Sequence, residues 1–295
     1  LKVRRCGATL KGVEEFHSAK DRLWHSSSYI RSKGKCDDAL MVYSGCDRRK
    51  QGFIVGGVFD GVSGWPGSSG LTSFISQHIM DFLSDLPDAR HPASTLCEIV
   101  HACRKGAGRR FRDGNSTISM LFLNEDGEYA LIGCGDSPAY IRENGLWKLA
   151  LPLDLPLIED GCTLEEYLEA RRYVSNCLLD PEFAPHILSG RISGDTAFML
   201  ITDGLSDNFS IIVDDLGNVV DSSGVTELNE LLGVADSEQI VNAAADIYKM
   251  RTFHWCNILH FFTDSRCVEG KVDDCLLYTS PSPRDRTRSR MPSSA

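Results

Sequence analysis

The sequence predicts an α+β fold in which two antiparallel β-sheets stack face to face and helices cover the outside. Three observations lead to this prediction. Short apolar runs rich in β-branched residues occur in pairs around turn residues, which is typical of β-hairpins. Two longer segments with helical apolar spacing lie between the first and second pairs. The composition, 42% apolar and 24% charged over 295 residues, supports a substantial buried core.

The first elements are a hairpin and two helices. The strands "ALMVYS" and "FIVGGVF" flank the charged turn "GCDRRKQG". In "LTSFISQHIMDFL" one helical face carries five apolar residues, namely Leu71, Phe74, Ile75, Ile79 and Phe82. The segment "STLCEIVHACRKGAGRRF" has the same helical spacing.

Strands dominate the rest of the chain. A second hairpin joins "STISMLFL" to "EYALIGC" with Asp126-Gly127 at its tip, and "AYIREN" and "LWKL" form a third. The segment "TLEEYLEARRYV" predicts a helix that begins with a capping box, because Glu166 follows Thr163 by three residues. We expect a strand in "TAFMLI", a helix in "SEQIVNAAADIYKM" and a final strand after it.

The composition also narrows the possible partners. The formal charge of −10 argues against a nucleic-acid ligand. No apolar run approaches the roughly 18 residues that a membrane span needs. Eleven cysteines without paired spacings favour a reducing compartment, so we expect a cytoplasmic protein, with organellar targeting left open because the sequence starts without methionine. We also expect a monomer.

The two ends of the chain differ from its centre. Residues 1–34 are basic without apolar periodicity, so we expect an irregular extension before a domain spanning 35–274. After residue 274 the segments "CLLYTSPSPRD" and "SRMPSSA" resemble a translated sequencing-library adapter. We therefore interpret 275–295 as a non-native tail, in which the apolar "CLLY" can take the place of a natural strand for four residues. We expect it to lower the stability of the chain.

Aspartates at the ends of predicted strands are the main functional signal. Asp60, Asp136 and Asp203 each end an apolar run at a glycine-containing turn, and Asp273 precedes the expected last strand. One Asp-Gly pair is usually only a turn. Several carboxylates at one end of a sandwich repel each other and normally coexist around cations. Ligation by oxygen alone suits Mg²⁺ or Mn²⁺.

The chain resembles the metal-dependent protein phosphatases of the 2C type, with the bacterial branch the most similar. Six ordered segments covering residues 35 to 274 carry the resemblance: "CDDAL", "VFDGVSG", "NSTISMLFL", "ALIGCGDSPAYI", "GDTAFMLITDGLSDN" and "GKVDD". The resemblance implies a β-sandwich flanked by helices, in an αββα arrangement, with a binuclear metal centre at one end.

The resemblance also assigns roles to individual residues. Asp60 would bridge both ions, the Gly61 carbonyl would bind one ion, and Asp203 and Asp273 would complete the other. Asp136, Asp203 and Asp207 match the site of a weaker third ion. Asp37 and Asp38 match a pair that holds metal-bound water, and Lys33 matches the phosphate-binding arginine.

The implied activity is hydrolysis of phosphoserine or phosphothreonine in proteins by a metal-activated water at two Mn²⁺ or Mg²⁺ ions. Some positions depart from the family pattern. Val62 replaces a histidine that can protonate the leaving group, Lys33 loses the bidentate geometry of arginine, and Pro138 replaces an arginine. These departures motivate the alternative of a catalytically inactive, phosphatase-like binding module.

Other candidate sites are weaker. Cys97, His101 and Cys103 could be zinc ligands, but only the first two share a helical face, so we expect core packing. Trp65 follows the Asp60 segment and could form a wall of a substrate cleft. We assign His186 and His260 to structural roles.

Overall fold

The computed structural model describes residues 15–21, 24–30, 37–155, 162–170, 173–193, 196–207, 209, 211–214, 216, 218–232 and 275–280. In these residues the antiparallel strands form two large sheets, and helices pack outside. The predicted fold class is therefore confirmed. The predicted helix at 237–250, the residues Lys33, Asp273 and His260, and the segment 281–295 lie outside the described residues.

The first sheet contains the two hairpins that the sequence predicts. Its strand order is β3-β4-β5-β6-β9, with β3 at Ala39–Cys46, β4 at Gly52–Phe59, β5 at Ile118–Asn124, β6 at Glu128–Cys134 and β9 at His186–Arg191. Along β4, Val55 and Phe59 face the helices, whereas Ile54 and Val58 face the second sheet. Both faces are covered, which explains why "FIVGGVF" is apolar throughout instead of alternating.

The second sheet has the strand order β1-β2-β13-β10-β7-β8. Its strands are β1 at Glu15–Asp21, β2 at Trp24–Ile30, β7 at Ala139–Glu143, β8 at Leu146–Leu149, β10 at Ala197–Ile201 and β13 at Cys275–Ser280. Ile141, Phe198 and Leu200 of this sheet pack against Val58, Leu121 and Leu131 of the first. A short ribbon pairs β11 at Ile212–Val213 with β12 at Val219–Asp221.

The expectation of an irregular segment over residues 1–34 is wrong for β1 and β2. These two strands pair antiparallel in continuous register from Glu15↔Ile30 to Asp21↔Trp24. Their sequences, "EFHSAKD" and "WHSSSYI", are polar and lack an alternating apolar pattern. Their backbone pairing is part of a sheet formed with distant segments, which local sequence patterns do not report.

The segment after residue 274 also takes part in the sheet. β13 lies between β2 and β10, with registers Tyr278↔Ser26 and Tyr278↔Leu200. "CLLY" thus occupies a strand position, as the apolar pattern predicts, and the sheet extends past the expected boundary at residue 274. The origin of residues 275–295 and their effect on stability stay predictions.

Two long helices cover the outer face of the first sheet. They are α1 at Ser68–Ser84 and α2 at Pro92–Ala107. Leu71, Ile75 and Ile79 are fully buried, and burial of each such side chain contributes about 1.5–3 kcal/mol. Phe74 and Phe82 pack at the margin of the same core. The second helix ends at Ala107 instead of continuing to Phe111, between Gly106 and Gly108, residues that weaken helices.

The described part of the chain also contains three short helices: α3 at Leu164–Ala170, α4 at Asp203–Ser206 and α5 at Val225–Leu232. The predicted capping box of α3 is confirmed. The Thr163 amide donates to Glu166 Oε2 at 2.9 Å, and the Glu166 amide donates to Thr163 Oγ1 at 3.3 Å. None of the helices in the described part of the chain has the length and apolarity to cross a membrane.

Candidate metal centre

The register of the strands places four of the predicted aspartates at one end of the sandwich. Ala39 pairs with Phe59, so Asp38 and Asp60 flank the same end of the β3–β4 pair. Ile118 pairs with Cys134, which brings Asp136 to that end of the first sheet. The Ile201 amide donates to the Pro138 carbonyl at 3.1 Å, so the second sheet brings Asp203 close to the turn that contains Asp136.

The carboxyl groups of these aspartates affect the ionisation of Asp60. Burial raises the pKa of Asp60 well above its usual value, and the charges of Asp203, Asp38 and Asp136 and a side-chain hydrogen bond with Asp203 raise it further. Atoms Oδ2 of Asp38 and Oδ1 of Asp203 are inaccessible to solvent. We refer to Asp38, Asp60, Asp136 and Asp203 as the carboxylate cluster.

The chemistry of the carboxylate cluster fits a hard divalent cation. Its donors are all carboxylate oxygens, which Mg²⁺ and Mn²⁺ prefer. Burial and mutual repulsion disfavour the ionised forms of Asp60 and Asp203, and a bound cation would relieve both effects. Among the described residues, no three His, Cys, Asp or Glu side chains have the spacing of an assembled metal shell. Asp273, the remaining predicted ligand, lies outside them.

Gly61 lies against the backbone of Asp37. A Cβ atom at residue 61 would come within 2.5 Å of the Asp37 carbonyl oxygen. That carbonyl accepts a hydrogen bond from Thr72 Oγ1 at 2.7 Å, which ties it to α1. The contact requires glycine at residue 61 for steric reasons. It fixes the Asp37–Asp38 segment beside Asp60.

Thr117 and Ser137 position the cluster, and the motifs that contain them did not reveal this role. The Asp60 amide donates to Thr117 Oγ1 at 3.1 Å, and the Thr117 amide donates to the Asp60 carbonyl at 2.9 Å. The Thr117 and Ser137 hydroxyls are 2.7 Å apart and hydrogen-bonded. Because Ser137 follows Asp136, these bonds join the turns that carry two of the carboxylates. The sequence signal that could have indicated this role is that Thr117 ends "NST" and Ser137 ends "GDS", both within the quoted motifs.

Asp154 anchors the other side of the Asp136 turn. Its Oδ2 atom accepts hydrogen bonds from the Gly135 amide and from Asn176 Nδ2, each at 2.9 Å. Its Oδ1 atom lies 2.9 Å from His186 Nε2, a hydrogen bond that agrees with a structural role for this histidine. Gly135 has φ of +83°, and a Cβ there would lie 2.7 Å from Thr117 Cγ2. This turn therefore requires glycine.

The structure places the remaining predicted residues around the cluster. The Asp207 amide donates to the Asp203 carbonyl at 2.8 Å, so Asp207 ends the helical turn that Asp203 begins. Val62 is held by the Asn115 carbonyl, which accepts from its amide at 3.1 Å. Trp65 is 48% exposed in the loop that follows. Cys103 is fully buried whereas Cys97 is exposed, so the three zinc candidates do not converge.

The chain has the fold of bacterial serine/threonine phosphatases of the 2C type. It is similar to the phosphatase PstP/Ppp of Mycobacterium tuberculosis, with a TM-score of 0.60 and 15% identity over 91% of this chain and 98% of that one. It is also similar to PppA, a regulatory component of the type VI secretion system in Pseudomonas aeruginosa (TM-score 0.54, 17% identity, 90% of this chain and 97% of that one).

A third similar structure is the catalytic domain of PstP in complex with two manganese ions. It has a TM-score of 0.57 and 13% identity over 91% of this chain and 98% of that one. No protein-family model and no curated protein sequence matches the chain. The fold predicted from the ordered motifs is confirmed, and the roles of individual residues stay proposals.

Proposed function

We propose that the chain is a Mn²⁺- or Mg²⁺-dependent serine/threonine protein phosphatase. The observation that carries the proposal is the carboxylate cluster, in which Asp60 and Asp203 come from opposite sheets and hydrogen-bond to each other. The fold shared with serine/threonine phosphatases, one of them holding two manganese ions, supports it. The expected substrates are phosphoserine and phosphothreonine in proteins.

The residues of the cluster would divide the binding of two ions between them. Asp60, Asp203 and Asp273, with the Gly61 carbonyl, would hold two ions, and Asp136 and Asp207 would contribute with Asp203 to a third. When bound, such ions would supply an acidified water nucleophile and neutralise charge on the phosphoryl oxygens. Asp37 and Asp38 would orient that water by hydrogen bonds, and Lys33 would attract the phosphate.

Val62 stands where many members of the resembled family carry a histidine that can protonate the leaving group. Its aliphatic side chain cannot donate a proton, so we expect the departing serine or threonine oxygen to take one from water. Trp65, exposed in the adjacent loop, offers an apolar surface beside the site to the residues that flank the phosphate.

The test is phosphate release from a phosphothreonine peptide during a Mn²⁺ titration, on chain that circular dichroism shows to be folded. We expect Asp60→Asn to abolish release and Asp126→Asn to leave it unchanged. Asp126 is the matched control because it lies at a β-turn, where its carboxylate accepts a hydrogen bond from Gln51 Nε2. Metal-independent release, or equal activity in both variants, would contradict the proposal.

Val62 supports a second candidate, a phosphatase-like module that binds phosphopeptides without hydrolysing them. The two candidates differ in a direct measurement. A folded chain that binds Mn²⁺ by calorimetry and the peptide by fluorescence anisotropy, yet releases no phosphate, would be the binding module.

A further inference from the structure

A groove between α2 and the segment Asp180–Pro185 lies outside the carboxylate cluster. Its volume is about 580 Å³, within the range of ligand-binding clefts. Apolar side chains of Val100, Ile132 and Phe183 contribute to the lining, His101 adds a polar ring, and Arg104 and Lys105 supply cationic groups. We call this feature the basic groove.

Charge around the basic groove is opposite to that of the whole chain. From Arg104 to Asp113 there are five basic residues and one acidic residue, in a chain with a formal charge of −10. Lys105, Arg109 and Arg112 are exposed, and none of them forms an ion pair with a described residue. Among the described residues, most other exposed cations form ion pairs, as Arg48 does with Asp85 and Arg191 with Glu128.

The wall of the basic groove is a fixed structure. Arg104 donates through Nη2 to the Asp180 carbonyl and, at 3.3 Å, to the Pro181 carbonyl. Its guanidinium lies 4.8 Å from the ring centroid of Phe183. The carboxylate of Asp180 accepts bonds from the Cys177 amide at 2.6 Å and from Asn115 Nδ2 at 2.7 Å. These bonds tie α2 to the segment 180–183 and engage the Asp180 carboxylate with Cys177 and Asn115, which do not line the groove.

The basic groove also connects to the proposed active site. Asn115, which binds Asp180, accepts the Val62 amide through its carbonyl at 3.1 Å. The Asp113 carbonyl accepts the Gly67 amide at 2.8 Å, so the strip Arg109–Arg112 borders the loop that carries Trp65. A peptide in the groove can therefore run along this strip towards the carboxylate cluster.

We propose that the basic groove binds an acidic segment of the phosphoprotein substrate, with an apolar side chain of that segment on the Val100–Phe183 surface. The inference rests on the proposed function for the identity of its partner. Charge complementarity selects the occupant, because Lys105, Arg109 and Arg112 attract carboxylates, whereas the chain as a whole has a formal charge of −10.

The first experiment measures binding without catalysis, by anisotropy of two fluorescein-labelled, unphosphorylated peptides. One carries glutamates around a leucine and the other carries glutamines in their place. We expect the glutamate peptide to bind about tenfold more tightly, and Lys105→Gln/Arg109→Gln/Arg112→Gln to remove this difference. The control Arg48→Gln/Arg49→Gln/Lys50→Gln removes the same charge from another exposed surface and should retain it. Equal binding of the two peptides, or equal loss in both variants, would overturn the proposal.

Alkylation of two exposed cysteines tests where the peptide binds. Cys97 lines the basic groove, whereas Cys46 ends β3 at the opposite end of the first sheet from Asp38. We expect the glutamate peptide to slow alkylation of Cys97, followed by mass spectrometry, and to leave Cys46 unaffected. Equal protection of both cysteines, or protection of neither, would contradict binding in the groove.

Hydrolysis of p-nitrophenyl phosphate separates this inference from the proposed function. The compound is too small to reach the basic groove, so the triple glutamine variant should hydrolyse it at the wild-type rate. If the wild-type chain does not hydrolyse it with Mn²⁺, the phosphatase proposal fails, while the peptide measurements still decide whether the groove binds acidic segments.

Discussion

Each end of the β3–β4 hairpin contains a buried or partly buried aspartate, and the surroundings shift the pKa values of the two side chains in opposite directions. At the turn, Asp47 is 3% exposed. Burial acts to raise its pKa, but hydrogen bonds from the Ala89, Gln51 and Arg49 amides outweigh burial and lower it. At the other end, burial and neighbouring carboxyls raise the pKa of Asp60. Amide donors thus stabilise the ionised form of Asp47, whereas burial and neighbouring carboxyls disfavour the ionised form of Asp60.

The two environments show how a structural aspartate differs from one that we propose to bind a cation. Both follow the same sequence pattern, an aspartate where an apolar strand meets a turn. Amide donors stabilise an ionised carboxylate and make it part of the fold. Carboxylate neighbours destabilise it until a cation binds, which is typical of a metal centre.

The largest expected effect is loss of activity on replacing a residue of the carboxylate cluster. Asp203→Asn should lower Mn²⁺-dependent phosphate release at least roughly 100-fold, because an amide cannot neutralise a bound cation as a carboxylate does. The measurement is kcat/KM with a phosphothreonine peptide. Asp47→Asn should keep the specific activity of its folded fraction. A loss of activity comparable to that of Asp203→Asn would contradict the different roles assigned to the two ends of the hairpin.

The next effect is on stability and concerns Asp47. Asp47→Ala leaves the amides of Arg49, Gln51 and Ala89 without their acceptor, so we expect a loss of about 2 kcal/mol in the free energy of unfolding. Urea denaturation measures it. The control is Asp126→Ala, at a more open turn. An equal loss of stability in the two variants would show that the hydrogen bonds of Asp47 add no stability beyond that of an ordinary turn aspartate.

The pH dependence of stability should have opposite signs at the two ends. The raised pKa of Asp60 gives stability that is present below its unfolded pKa and lost as pH rises through the folded pKa. The lowered pKa of Asp47 gives stability that is present above about 3.8 and lost as pH falls through its folded pKa. In EDTA, Asp60→Asn should remove the loss on the alkaline side, and Asp47→Asn the loss on the acidic side. Urea melts across a pH series measure both, and unchanged pH profiles would contradict the assignment.

The smallest expected effect comes from the positioning residues. Thr117→Val removes one hydroxyl that accepts the Asp60 amide and bonds to Ser137. We expect a stability loss of about 1 kcal/mol and a weaker Mn²⁺ affinity, measured by calorimetry. Restoring only the hydroxyl, with Thr117→Ser, should recover the affinity. If Thr117→Val binds Mn²⁺ as tightly as the wild type, the hydroxyl does not position the cluster.

Local sequence patterns predicted much of the fold. The hairpins around Asp47 and Asp126 and the buried face of α1 were correct because one turn or one helix face specifies each of them. The strands β1 and β2 were missed because their polar sequences carry no alternation. β9 was not predicted individually, since Gly190 interrupts a short, largely exposed strand.

The candidate site was predicted only in part. Ordered motifs indicated Asp60, Asp136 and Asp203, and the structure brings their carboxyls together with that of Asp38. The roles of Thr117 and Asp154 depend on hydrogen bonds between turns distant in sequence, which no local pattern reports. The contact of Gly61 with Asp37 is likewise a matter of three-dimensional packing.

The most direct test of the carboxylate cluster as a cation site is thermal unfolding in EDTA and in Mn²⁺, for the wild type, Asp60→Asn and Asp126→Asn. We expect Mn²⁺ to raise the melting temperature of the wild type and of Asp126→Asn, because a cation that binds only the folded state stabilises it. Asp60→Asn should melt at a higher temperature than the wild type in EDTA and gain little from Mn²⁺. An equal Mn²⁺-induced shift in all three proteins would contradict the account.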